Sequence, residues 1–360
     1  MKTHKLLIPI IALAVLGSSC SKDSKPSLSS TQAEKAIGDV NTNLASEIGS
    51  LQATQGNVAL TSFTTITATT SPFGRIQSFN KPGEIKAALS ASLISVRQMI
   101  VSSTGGEKVQ GASEAFNFDG KKGIYIYNFD TQVFDKSQET STIIKIRYPK
   151  DDASKTNHLN DAELQITTYT DTPTPQGYNP TAIEAAIYIS SVKEASLSLT
   201  AQYDDAGDPN KASETLYINP YTFSFSFDIT PATSATESFS LSKSGTTLIA
   251  VGATAVWSSA SEKTNGNGPK TLTGYFQLKN LRFSIAVDGT KGATAASNNE
   301  FITITVTADG SLAGHVVWAT DPNNPNGGEQ PYMQYNDGNK ELLSTLFADL
   351  GSQLQALANG

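Results

Sequence analysis

The sequence holds a single cysteine, Cys20, among 360 residues. With no second thiol, neither an internal disulfide nor a thiolate-rich metal cluster can form, so stability has to come from the core. Histidine is nearly as scarce. His4 precedes Cys20, and His158 and His315 are the others. With Cys20 read as a lipid anchor, no thiol is left for Cys–His catalysis, and a serine triad would need His158 or His315 beside a nucleophile elbow, yet no Gly-x-Ser-x-Gly occurs. No histidine pair has zinc-ligand spacing, and no glycine-rich phosphate cradle opens a helix. Charged residues make up only 16% of the chain and the net charge is −7, so no strong basic field exists to attract nucleic acid.

Long apolar runs are also missing. The stretch Leu6 to Leu16 falls short of the roughly 20 residues that span a bilayer. Preceded by Lys2 and Lys5 and followed by Gly17, Ser18 and Ser19, it instead has the three parts of a secretory signal over 1–19. Cleavage before Cys20 would place its thiol at the new N-terminus, where bacterial lipoproteins carry diacylglycerol and further acyl chains such as palmitate. Leu16 lies one place further from the cysteine than the usual lipobox has it, and a free or buried thiol is the other reading. Ser21 to Ser30, SKDSKPSLSS, has almost nothing to bury, so 20–30 reads as a lipidated tether. Several acyl chains on one residue hold a membrane far more firmly than one. Ser21 rather than Asp points to the outer membrane, with the periplasmic and surface faces both open. Loss of Lys2 and Lys5 with the signal takes the net charge from −7 to −9.

Residues 31–360 read as one β-rich domain. Thr31-Gln-Ala-Glu34 has capping-box spacing, and Ala33, Ile37, Val40, Leu44, Ile48 and Leu51 recur at helical steps over 32–53. Ile85, Leu89, Leu93, Val96 and Ile100 predict a second helix at 84–101, ended by Gly105-Gly106. Val58 to Thr69 is ambiguous, because its apolar spacing serves a helix while its threonines favour extension. From Ala115 the period becomes two. Strands are predicted at 116–118 and 123–129 around an Asp119-Gly120 turn, and at 132–137, 141–148, 163–170, 181–190, 195–203, 215–219 and 221–230. Others follow at 236–242, 247–257, 271–278, 281–288, 301–308 and 315–319, and 151–160 reads as a loop. Leu342, Leu343, Leu346, Phe347, Leu350, Leu354 and Leu357 then predict an amphipathic helix over 339–358. The expected fold class is α+β, mainly β: a long antiparallel meander forming a curved sheet or half-barrel, covered by the N-terminal helices and the C-terminal one.

Tyr221, Phe223, Phe225, Phe227 and Ile229 alternate with Thr222, Ser224, Ser226, Asp228 and Thr230, giving one aromatic and one polar face. The aromatic face is either packed by helices or left as a groove for an apolar ligand, so Tyr221, Phe223, Phe225 and Phe227 are the candidate ligand residues. Asp204, Asp205 and Asp208 could offer oxygens to calcium but depart from the EF-hand pattern, and Gly207-Asp208-Pro209 suits a hairpin turn. Asp321 to Pro331 reads as a turn-rich loop, and Trp257 and Trp318 end predicted strands. A glycosidase needs only two acids across a cleft, but no pair stands out. No catalytic residue, metal site or cofactor is assigned.

SPFGR at 71–75, GIYIYNFDTQVFDKS at 123–137, IRYP at 146–149, LSLTAQYDDAGDP at 197–209 and PYTFSFSF at 220–227 together resemble exported lipoproteins of the Bacteroidota. That family brings no established activity and no site residues, and it implies an anchored, exported protein. It also makes Val58 to Thr69 more helical than its threonines suggest. Two function classes follow: a noncatalytic binding or structural lipoprotein at the outer membrane, with an apolar ligand as one cargo, and a surface module for glycan or protein.

Overall fold

The computed structural model describes residues 27–67, 97, 98, 100–104, 114–175, 177–292, 294–320 and 328–346. Cys20, most of the helix expected at 84–101 and residues 347–358 of the C-terminal one lie outside them. The chain is α+β and mainly β. Its strands are β1 (Gly123–Tyr127), β2 (Phe134–Lys136), β3 (Ile144–Tyr148), β4 (Ala162–Thr174), β5 (Gly177–Ile189), β6 (Val192–Tyr203), β7 (Pro209–Ile218) and β8 (Tyr221–Asp228). They continue as β9 (Ser234–Lys243), β10 (Thr246–Val256), β11 (Thr271–Leu278), β12 (Leu281–Asp288), β13 (Ile302–Ala308), β14 (Ser311–Thr320), β15 (Glu329–Tyr335) and β16 (Lys340–Leu342). They make one 16-stranded, unclosed sheet in the order β16 back through β3, then β1 and β2. Two compact units divide the chain inside β8: Gly49–Phe225, and Met1–Ile48 with Ser226–Gly360.

Helix α1 (Ser30–Gln52) buries Ala33, Ile37 and Val40 on the stripe expected from the sequence. Its capping box lies two residues earlier than Thr31–Glu34. The Ser29 amide donates to Gln32 Oε1 at 3.0 Å and the Gln32 amide donates to Ser29 Oγ at 3.3 Å, so each side chain satisfies the other's backbone. The end of the segment read as a tether is docked too. Ser27 bridges Leu312, and the Leu28 amide donates to the Leu312 carbonyl at 2.8 Å, because β14–β15 pairing stops at Gly314 and Tyr335 and leaves the Leu312 backbone open on that side.

In the unit Gly49–Phe225 the ambiguous segment is helix α2 (Gln55–Ile66), capped by Thr54, whose Oγ1 accepts from the Asn57 amide. Its threonines do not oppose the helix, since Thr64, Thr65 and Thr67 turn their hydroxyls back onto carbonyls one turn earlier. Gly56 allows the helix to meet β6, because a Cβ there would lie 2.3 Å from the Glu194 carbonyl oxygen. Phe63 packs on Tyr148 at 4.8 Å between ring centroids. Along β3 and β4 the pattern alternates: Ile144, Ile146, Tyr148, Leu164 and Ile166 are buried, with Lys145, Arg147, Glu163 and Gln165 on the other face.

Three readings of this unit are corrected. Strand β1 pairs β3 in parallel, because the β1–β2 hairpin takes the sheet edge and the chain returns on the far side of β1. Asp119-Gly120 is not a hairpin turn but part of a short helix α3 (Phe118–Lys121), held by the Asn117 side chain accepting from Gly120. Within 151–160, Asp151 caps another, α4 (Asp152–Thr156), through the Ser154 amide.

In the other unit, Leu278, Leu281, Phe283, Ile285, Ile304, Val306 and Met333 are buried. Residues 340–342, expected to begin a helix, are strand β16, because their backbone pairs with Tyr332–Gln334; helix α6 (Leu343–Leu346) starts only afterwards. Strand β15 takes up Glu329 to Pro331 from the predicted loop. Among the described residues no helix is long and apolar enough to cross a membrane.

Candidate functional site

The aromatic row of β8 is only partly covered. Tyr221 and Phe227 are 1% and 7% exposed, whereas Phe223 and Phe225 are half-buried. The polar row is not openly wetted either: Thr222, Ser224, Ser226 and Asp228 are half-buried, and Ser226 Oγ lies 2.8 Å from Ser238 Oγ on β9.

Asp204 is spent on its own turn, where Oδ1 accepts from the amides of Ala206 and Asp208 at 3.1 and 2.9 Å, the hairpin the sequence suggested. No group of three or more histidine, cysteine or acidic residues could hold a metal among the described residues. His158 stacks on Phe129 at 4.8 Å, and His315 is exposed in β14 between Thr305 and Gln334. Trp257 donates from Nε1 to the Asn267 carbonyl at 2.7 Å, and the Trp318 backbone is held by the Asn299 side chain.

The polar face of β3–β5 carries a cleft that no single stretch of sequence announces. Its volume is about 420 Å³, and Arg147, Asn160, Asp161, Glu163, Gln165, Tyr188, Ser190 and Ser191 line it with Ala162. Register assembles it: Arg147 stands opposite Glu163, and Glu163 opposite Tyr188. Ser190 and Ser191 form the two-residue β5–β6 turn, with φ of 49° and 67°, a left-handed pair usually filled by Asn and Gly.

The charges in the cleft are fixed. Glu163 receives Arg147 Nε at 3.0 Å, Gln165 Nε2 at 2.7 Å and Lys145 Nζ at 3.2 Å. Burial pushes its carboxyl up, but these donors outweigh burial and hold it below the usual range. Asp161 behaves alike: burial raises it, and Lys150 and Ser154 bring it down. Two carboxylates both held ionised are poor general acids at neutral pH.

What the cleft leaves unpaired is neutral. Asn160 gives its Nδ2 to the Tyr127 carbonyl at 2.9 Å, while its buried Oδ1 has no partner among the described residues. A buried acceptor without a donor is costly, on the order of 1–3 kcal/mol. Tyr188, Ser190 and Ser191 add hydroxyl groups at the wall. In hindsight the signals were the serine pair between two strands and the Lys145/Arg147 and Glu163/Gln165 alternations. Comparison with family models, with curated proteins and with solved structures found no match to the chain.

Proposed function

We propose that this is an exported, lipid-anchored, noncatalytic binding protein that holds a polyhydroxylated ligand, a glycan, in the β3–β5 cleft. The observation that carries the reading is a cleft lined by Asn160, Gln165, Tyr188, Ser190 and Ser191 whose charged groups are already compensated. A sugar ring offers closely spaced hydroxyls that both donate and accept, matching the hydroxyls of Tyr188, Ser190 and Ser191. The anchor is Cys20 at the outer membrane, supported by the signal-like 1–19 segment and the resemblance to Bacteroidota lipoproteins.

A glycan array probed with the detergent-purified protein tests the cleft, with Tyr188→Phe and Arg147→Lys as companions. Binding weakened by both variants supports the reading, and binding indifferent to both, or none, removes it. For the anchor, Cys20→Ser should release the protein from the membrane fraction; unchanged retention would refute lipidation. Protease treatment of intact cells then separates surface display from periplasmic residence.

The half-buried Phe223 and Phe225 favour a second reading, an apolar ligand against β8. Copurifying lipid in native mass spectrometry, lost in Phe223→Ser, would support it.

A further inference from the structure

Arg282 sits apart from the other described arginines. Arg97 pairs with Asp171, and Arg147 with Glu163 and Glu139, but Arg282 makes no ion pair with any described residue. It is nonetheless held firmly. Its guanidinium carbon lies 3.8 Å from the centroid of the Tyr275 ring, and its Nη1 donates to Gln277 Oε1 at 3.3 Å. The ring itself has a fixed seat. Tyr275 stands opposite Gly252, and a Cβ at that glycine would lie 2.7 Å from Tyr275 Cε1, so the ring leans into space that only glycine leaves open.

Gln277, which steadies the guanidinium, also lines a pocket of about 600 Å³ at the β9–β10 and β11–β12 turns. Lys279 lines the same pocket and likewise makes no ion pair with a described residue. The acids nearby are already engaged: Glu47 binds Lys243 at 2.6 Å, and Asp309 accepts from Asn280 at 2.8 Å. Opposite Arg282 on β13 stands Thr307, and Ser284 follows on its own strand, so the surround is hydroxyl and amide.

We infer that Arg282, with Gln277 and Lys279, forms an oxyanion-binding site at this pocket, distinct from the β3–β5 cleft. A guanidinium stacked on a ring keeps its outward N–H groups as a preorganised fork for a planar carboxylate or a phosphate. Stacking also lowers the entropy lost on binding, since the side chain is already ordered. In a chain of net charge −7, two cations without an acidic partner among the described residues beside one pocket have an anion as their chemical complement.

The test is calorimetric titration of the intact protein with acetate, inorganic phosphate and acetamide, the uncharged isostere of acetate, at constant ionic strength. One or both anions should bind and acetamide should not, and the stronger of the two identifies carboxylate or phosphate. Arg282→Gln should weaken binding about tenfold or more, the loss of a charge-assisted fork, and Arg282→Lys should restore only part of it. Arg147→Lys, which acts on the cleft, should leave the binding of these small anions unchanged, which separates the two sites. If Arg282→Gln does not fold, phenylglyoxal labelling of Arg282 in the wild type should be slowed by the bound anion. Equal binding of acetamide, absence of anion binding, or labelling unaffected by the anion would each overturn the site.

Discussion

Glu214 stands directly opposite Leu199 in the β6–β7 ladder. Its side chain therefore shares a face with the buried Leu216 and Ile218, and it makes no hydrogen bond or ion pair with a described residue. Burial pushes its carboxyl up from 4.5 to about 7. The folded state thus holds a proton that the unfolded chain releases earlier. The contribution is complete below the unfolded pKa and is lost as pH rises through about 7. A shift of this size corresponds to on the order of 3 kcal/mol. Urea unfolding at about pH 5 and about pH 8 should show the wild type weaker at the higher pH, with Glu214→Gln losing most of that difference. Burial raises Glu237 as well, so a smaller slope of the same sign should remain. An undiminished slope in Glu214→Gln would contradict the assignment.

Gly56 and Gly38 predict opposite outcomes for one substitution. At Gly56 a methyl group would meet the Glu194 carbonyl oxygen at 2.3 Å, a backbone atom that cannot turn aside, whereas at Gly38 nothing lies within 4 Å. Gly56→Ala should destabilise by about 2 kcal/mol or more through displacement of α2 from β6. Gly38→Ala should stabilise α1 by roughly 0.5–1 kcal/mol, the helix-propensity gain. Thermal melts of the two variants check both signs.

These contrasts show how far the sequence was legible. Alternation found most strands because a buried Ile144, Ile146 and Tyr148 beside a polar Lys145 and Arg147 leaves a period of two in the chain itself. It could not show that β1 pairs β3 in parallel, since that depends on where a hairpin settles at the sheet edge. The α2 threonines left that segment ambiguous because a hydroxyl that bonds its own helix is invisible to propensity. Lys340–Leu342 carried a helical leucine pattern, but pairing with β15 prevailed over it. The cleft was hidden for a related reason: Arg147, Glu163 and Tyr188 become neighbours only through register.

Ser29 should matter more to α1 than Thr31. The reciprocal bonds join Ser29 and Gln32, so Ser29→Ala should cost about 1 kcal/mol, the usual loss of a cap, and Thr31→Ala should be close to neutral. Denaturant midpoints give the comparison directly. Equal losses from both variants would place the cap back at Thr31.

Lys263 makes the most specific prediction about a single loop. It lies in α5 (Ala260–Thr264), and its ammonium donates to the carbonyls of Ile229, Pro231 and Ser234 at 2.5, 2.6 and 2.7 Å, closing the connection between β8 and β9. Those three oxygens surround a compact tetrahedral cation that also lies over the Trp257 ring at 5.8 Å. A planar guanidinium cannot direct three donors to one convergent set of carbonyls. Lys263→Met, which keeps the apolar stem, should therefore cost about 1–3 kcal/mol for a lost charge-assisted set, and Lys263→Arg should recover little of it. Amide exchange should quicken at Trp257, whose N–H is bonded to the Thr233 carbonyl in the same loop, while Tyr125 and Ile146 in the other unit keep their protection. Full recovery by arginine would mean that charge alone, rather than the shape of the ammonium, holds the loop.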